Sequence, residues 1–204
     1  MPNSALLLID IQNDFCPGGA LAVEDGDAVV SRANALQAKF ELIVATQDWH
    51  PAGHSSFAAN HAGAQPFSTT QMPYGEQVLW PTHCVQGSAG ADFHAGLETD
   101  KIALTIRKGF RSEIDSYSAF FENDRTTPTG LAGYLREHGV QAVTLCGLAT
   151  DFCVAYSALD AARLDFEATV IEDACRAIDL NGSLAAARTQ MREAGVRLAT
   201  SNDV

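Results

Sequence analysis

A few residues in this 204-residue chain have types and settings suited to chemistry rather than packing. Cys153 ends the stretch Cys146-Gly147-Leu148-Ala149-Thr150-Asp151-Phe152-Cys153, which reads as a strand, a tight turn and a helix start. A thiol at a helix N-terminus faces the positive end of the dipole, which favours the thiolate. The turn also leaves backbone N–H groups able to hold an oxyanion. A nucleophile needs both features and a buried structural cysteine needs neither, so this segment alone leaves both readings open. Asp10 closes an apolar run and is either a general base or an acceptor that punctuates a strand. Lys108 precedes Gly109 and is either a solvated surface charge or a cation in a pocket, where it would lower the pKa of Asp10 and Cys153. Together the three would attack an amide carbon, expel ammonia and hydrolyse a thioester.

A second set suits a metal. In Asp48-Trp49-His50 the acid and the imidazole stand two residues apart, on the same side of an extended segment. His83 offers a third donor from another loop, and His54 is a candidate spare ligand or supporting group. A mixed carboxylate and imidazole set suits one divalent ion, Zn²⁺ first and Fe²⁺ or Mn²⁺ as alternatives. His61 and His94 share the same loop region, whereas His138 sits where capping a helix C-terminus explains it. Cys146 and Cys175 read as core residues, Cys16 and Cys84 lie in loops without an assigned role, and Arg107 and Arg111 are expected to face outward.

The elements that must position these groups follow from periodicity. Residues 5–9, 41–46 and 102–106 are short apolar runs of the kind that form strands buried on both faces. They end near Asp10, Asp48 and Lys108. Residues 26–39 carry a helical pattern. The second half alternates regularly: helix 129–138, strand 140–146, helix 152–164, strand 166–171, helix 181–194 and strand 196–200. Strands alternating with helices imply right-handed βαβ units and a parallel sheet covered on both faces. The expected fold class is α/β, a three-layer α/β/α sandwich with a mainly parallel sheet of about six strands, in one domain spanning residues 1–204. Ligands in such sheets bind beyond the carboxyl ends of the strands, where the chemistry collects. Residues 47–101 break the rhythm with four prolines and five of the six histidines, and are expected to form a long loop region serving the metal and the pocket.

Composition narrows the partners. The formal charge of −12 repels phosphate backbones and anionic lipid heads, so no nucleic acid and no membrane surface is expected. A small-molecule substrate fits, and assembly into a homo-oligomer is compatible with these features. Five cysteines without disulfide-framework spacing suggest a reducing compartment. No signal-peptide pattern and no apolar stretch near the roughly 18 residues of a membrane span is present, so a cytoplasmic location is the expectation.

Several long motifs carry a resemblance. They are Leu8-Ile9-Asp10-Ile11-Gln12-Asn13-Asp14-Phe15-Cys16-Pro17-Gly18-Gly19, Thr46-Gln47-Asp48-Trp49-His50-Pro51, Leu79-Trp80-Pro81-Thr82-His83-Cys84, Arg107-Lys108-Gly109, Asp115-Ser116-Tyr117-Ser118-Ala119-Phe120 and Gly147-Leu148-Ala149-Thr150-Asp151-Phe152-Cys153. In this order the chain resembles the nicotinamidases of the isochorismatase-like cysteine hydrolase superfamily. The resemblance implies hydrolysis of nicotinamide to nicotinate and ammonia in NAD-precursor salvage, with pyrazinamide as a second substrate. It implies Asp10 as base, Lys108 as cation, Cys153 as nucleophile, and Asp48, His50 and His83 as metal ligands. It further implies an oxyanion hole at Ala149 and Cys153, a cis peptide between Leu148 and Ala149, and a pocket for the pyridine ring built from Phe15, Leu21, Trp80, Tyr117 and Ala149. A metal there would hold the ring nitrogen and orient the substrate. Two other readings stay in view: an amidohydrolase of the same superfamily acting on a carbamoyl or ureido compound, and a non-enzymatic metal-binding protein on the same fold.

Overall fold

The structure is a computed structural model and describes residues 3–204. Six parallel strands form the central sheet: β1 (Ser4–Ile9), β2 (Leu42–Asp48), β5 (Leu104–Lys108), β6 (Ala142–Leu148), β7 (Glu167–Arg176) and β8 (Arg197–Ala199). Their spatial order is β5-β2-β1-β6-β7-β8. The chain therefore builds outward from β1 in one direction, then returns to β1 and builds the other way. The switch point of this order lies between β1 and β6, where a parallel α/β sheet opens a crevice.

The sequence explains why β1 is central. Ala5, Leu6, Leu7, Leu8 and Ile9 are all buried, because both faces of the strand are covered and both edges are paired. Helices α1 (Ala28–Gln37), α2 (Leu131–Glu137), α3 (Ala155–Arg163) and α4 (Ser183–Glu193) supply the covering layers. The right-handed rule sends α1, which leads outward from β1 to β2, to one face, and the helices of the opposite progression to the other. Helix α1 packs on β6 and β7, and α3 packs on β7 and against α4.

The expected α/β/α architecture and parallel sheet are present, with shifts at element ends. Strands β2 and β5 run further than the apolar runs, so Asp48 and Lys108 are their last residues and are register partners. Ladder hydrogen bonds, which hydropathy does not report, carry these strands into the polar site. Strand β7 continues to Arg176 past the expected end at 171, with its register to β6 shifting between Leu145 and Gly147. Between 47 and 101 the chain is mostly irregular, but it holds an antiparallel hairpin of β3 (Thr69–Met72) and β4 (Gly75–Val78). The helix expected over 152–164 begins as a π-helical turn, Thr150–Val154, before α3. Among the described residues, no helix is long and apolar enough to cross a membrane.

Candidate active site

The carboxyl ends of β1, β2, β5 and β6 converge on one buried ammonium group. Lys108 is 1% exposed. Its Nζ lies 2.9 Å from Asp10 Oδ2, 2.5 Å from Asp48 Oδ1, 2.9 Å from the Ser116 carbonyl oxygen and 3.6 Å from Cys153 Sγ. Burial opposes its charge, but Asp10, Asp48 and Cys153 outweigh that and push its pKa well above the ordinary lysine value. Lys108 is therefore the fixed cation of the site. It occupies the centre of the Asp10, Asp48 and Cys153 cluster, where a metal would otherwise compete.

Asp10 has no exposed surface. Its Oδ1 accepts from Thr46 Oγ1 at 2.5 Å, and the same hydroxyl oxygen accepts the Asp10 backbone N–H at 3.1 Å. Oδ2 pairs with Lys108 Nζ at 2.9 Å and keeps further lone-pair capacity. It is the acceptor open to the Cys153 thiol. Burial raises the Asp10 pKa, with Lys108 opposing and Asp48 adding to the rise. Cys153 behaves likewise. Burial pushes its thiol well above the usual range, Lys108 works against this, and Asp10 and Asp48 reinforce it. Lys108 thus acts on both neighbours in the expected direction, while burial outweighs it and leaves both pKa values raised. Desolvation dominates in a site closed to water.

The turn that presents Cys153 is specified locally. Gly147 has φ +126°, and a Cβ there would meet the Ile9 carbonyl oxygen at 2.1 Å, so β1 can approach β6 closely only at a glycine. The Leu148–Ala149 peptide bond is cis, as the motif resemblance implies. The Ala149 carbonyl then accepts from the N–H groups of Phe152 and Val154, both at 3.1 Å. Asp151, to which the sequence reading gave no role, accepts the backbone N–H groups of Ile178 and Asp179 at 3.0 and 2.8 Å and the Ser183 hydroxyl at 2.5 Å. It ties the loop after β7 to the turn and brings Ile178 to the pocket wall.

Beside this cluster, Asp48, His50 and His83 form a group of buried donors able to hold a metal ion. Asp48 Oδ2 lies 3.6 Å from His50 Nε2 and 3.7 Å from His83 Nε2. Each ring is fixed from behind: His50 Nδ1 donates to the Gly109 carbonyl at 3.0 Å and His83 Nδ1 to the Pro81 carbonyl at 2.8 Å. That tautomer turns both Nε2 lone pairs toward the carboxylate, the arrangement usual for metal-ligating histidines. The donor set fits a divalent ion. Asp48 divides its oxygens, Oδ1 to Lys108 and Oδ2 to the imidazoles. Burial works against its charge, but the Lys108 ammonium beside Oδ1 holds its pKa well below the ordinary value.

His54 stands apart from this group. Its Nδ1 is 2.7 Å from Ser56 Oγ and its Nε2 is 3.3 Å from the Ile114 carbonyl oxygen, so both ring nitrogens are engaged. Its ring lies tilted against His50, with centroids 4.5 Å apart, and falls within a second donor group with His50 and Asp115. His61 bonds the Ser55 carbonyl, His94 accepts from Gly96 N–H and His138 caps its helix, all outside the site. Cys16, Cys84, Cys146 and Cys175 are buried free thiols. Arg107 lies over the Trp49 ring, and Arg111, half exposed, pairs with Glu122.

Cys153, Asp48, His50 and His83 border a narrow cavity of about 20 Å³. Phe15, Leu21, Trp80, Tyr117 and Ala149 all line it, together with Cys153. Asp115, Phe152 and Ile178 also line it and received no role from the sequence. Asp115 and Phe152 lie inside the quoted motifs, where their neighbours carried the signal. Ile178 has no local signature. The Phe152 ring meets Trp80 edge-on at 4.8 Å.

A six-stranded parallel sheet of this order, with its polar cluster at the switch point, defines an isochorismatase-type α/β fold. The chain belongs to the isochorismatase family, whose domain model matches residues 4–203. It is 54% identical to a nicotinamidase of Acinetobacter baylyi over 202 residues, covering 99% of this chain and 94% of that protein. It superposes on the solved structure of a nicotinamidase/pyrazinamidase from Acinetobacter baumanii with a TM-score of 0.98 at 55% identity, covering 100% of this chain and 98% of that one. A pyrazinamidase of Pyrococcus horikoshii, solved in complex with zinc, matches with a TM-score of 0.78 at 36% identity over 98% of this chain and 99% of that one.

Proposed function

We propose that this protein is a metal-containing cysteine amidohydrolase that converts nicotinamide to nicotinate and ammonia, and accepts pyrazinamide as well. We read residues 1–204 as one hydrolase domain. The observation that carries the proposal is the meeting of Asp10, Lys108 and Cys153, with Cys153 reaching a cavity that Asp48, His50 and His83 also line. The named relatives support the choice of substrate.

Asp10 takes the Cys153 proton through its open Oδ2 as Sγ attacks the carboxamide carbon. The backbone N–H groups of Ala149 and Cys153 receive the oxyanion. As the C–N bond breaks, Asp10 returns the proton to the leaving nitrogen, ammonia departs and a thioester remains. Asp10 then takes a proton from water attacking the thioester, and the C–S bond breaks to release nicotinate and restore the thiol. Lys108 keeps its charge throughout and holds Asp10, Asp48 and Cys153 together while negative charge moves among them.

Asp48, His50 and His83 would hold the metal. When bound, the ion supplies a Lewis-acid anchor for the ring nitrogen that orients the amide over Cys153. The zinc-bound relative supports Zn²⁺ as the ion. Phe15, Leu21, Trp80, Tyr117 and Ala149 enclose the flat ring, and His54 serves as support behind His50. The free thiols favour a reducing, cytoplasmic setting.

The test is ammonia release from nicotinamide by the purified protein, by Cys153→Ala, and by protein treated with chelator. Wild type should turn over, Cys153→Ala should lose at least about a thousandfold, and chelation should abolish activity that added metal restores. Equal inactivity of wild type and Cys153→Ala toward nicotinamide and a panel of aromatic amides would defeat the proposal. Chelator-insensitive turnover of ureido compounds alone would favour the carbamoyl reading.

A further inference from the structure

The hairpin β3–β4 takes no part in the main sheet, yet it sends one polar side chain to the pocket wall. Gln77 is 1% exposed. Its Nε2 lies 2.8 Å from the Val78 carbonyl oxygen, 2.9 Å from Asp115 Oδ2 and 2.7 Å from Tyr117 Oη. Its Oε1 accepts from Asn123 Nδ2 at 3.1 Å and from Tyr74 Oη at 3.2 Å. The two ends of an amide have nearly the same shape, but a carbonyl and a carboxylate can only accept. Val78 and Asp115 therefore fix the nitrogen end of Gln77 toward Tyr117; its two protons are shared among three oxygens, and the nitrogen itself accepts no hydrogen bond.

This has a consequence for the ring that lines the cavity. The Tyr117 oxygen also receives the Trp80 indole N–H at 3.1 Å. Neither the indole N–H nor the amide nitrogen can accept, so the hydroxyl's own proton has no protein acceptor among the described residues. Burial, followed by the nearby Asp115, pushes the Tyr117 pKa well up, which keeps the phenol protonated. Tyr117 and Trp80 are both cavity-lining side chains.

We propose that Gln77 is a positioning residue for substrate binding: its amide locks the Tyr117–Trp80 wall and leaves the Tyr117 hydroxyl as a donor for a flat heteroaromatic amide. The inference rests on the reading of this cavity as the ring-binding site. Without the amide, Asp115, the anion that weighs most on Tyr117, becomes a competing acceptor for that proton.

Gln77→Met keeps length and removes both polar ends, while Gln77→Glu keeps shape and replaces the donor by an acceptor. Each is compared with Tyr117→Phe and with the corresponding double variants in steady-state hydrolysis of nicotinamide. Gln77→Met should raise KM roughly tenfold, about 1.4 kcal/mol of ring binding, with kcat changed less than about threefold. In the Tyr117→Phe background the same substitution should change KM less than about twofold, because the two residues act through one contact. The Trp80 indole N–H resonance, assigned against Trp49→Phe, should move in both Gln77 variants. A merely structural role would lower the melting temperature, scale kcat and leave the two substitutions additive. Wild-type KM in folded Gln77→Met or Gln77→Glu, additivity with Tyr117→Phe, or an unmoved Trp80 resonance would overturn the proposal. Wild type inactive on nicotinamide would instead defeat the substrate reading, and the Trp80 resonance would still judge Gln77.

Discussion

Replacing Lys108 by methionine removes the charge at the centre of the site while keeping much of the side chain's length. The ammonium has four neighbours: two carboxylates, a carbonyl and a thiol. Asp10 and Asp48 are 0% and 5% exposed, so neither can recover the lost partner from bulk water. Breaking a buried charge arrangement by deleting one partner costs about 3–5 kcal/mol. For a chain of this size each kcal/mol shifts the melting temperature by about 2–4 °C, so the loss should lie between about 6 and 20 °C at neutral pH. The sign of the pH dependence follows from the carboxylates. Without Lys108 the Asp10 pKa, already raised, rises further, and Asp48 loses the first of the influences that hold its pKa down. A carboxyl with a raised folded pKa carries no penalty when protonated in both states, and destabilises progressively as pH rises through that window. The deficit relative to wild type should therefore be small at acid pH and grow toward neutrality. Thermal melts of metal-free wild type and Lys108→Met from pH 4.5 to 8 measure it, with circular dichroism confirming the fold. A deficit that does not vary with pH, or equal melting temperatures at pH 7.5, would show that Lys108 does not hold the two acids.

Two further outcomes are expected. Gly109 has φ +62°, and a Cβ on it would stand 2.2 Å from Cε1 and 2.5 Å from Nδ1 of the packed His50 ring. Gly109→Ala should displace that ring and lower metal affinity by about 10–100-fold, read by competition with a chromophoric chelator; unchanged affinity would refute the steric argument. Burial raises the Asp10 carboxyl above 3.8, so the acid limb of kcat/KM, which reports the free enzyme's base, should fall above that value, and Asp10→Asn should cost at least about a hundredfold in rate. A limb at or below 3.8 would sink that role.

Much of the fold was legible because hydropathy reports burial directly. Ala5 to Ile9 form an unbroken apolar run, and a run of that length without periodicity is a strand covered on both faces. The regular alternation after residue 129 fixed the parallel half of the sheet in the same way. The hairpin at 69–78 escaped notice because its strands are largely exposed and polar, with Gln77 alone buried in β4. The ends of β2 and β5 escaped for a related reason, since main-chain pairing carried charged residues into positions that hydropathy excludes.

The sequence by itself determined which residue types were on hand: a thiol after a strand and tight turn, an acid closing a buried run, a lysine before a glycine, and an acid and an imidazole two residues apart. Those are properties of short segments, and short segments carry them. The sequence did not determine what the groups do to one another. Lys108 reaches Asp10, Asp48 and Cys153 only because β5, β2, β1 and β6 lie side by side in the sheet. The closed site that brings them together also strips away water, and that loss pushes the thiol pKa up against the pull of the nearby cation. Solvation and distance depend on every segment at once, which is why tertiary structure decided them.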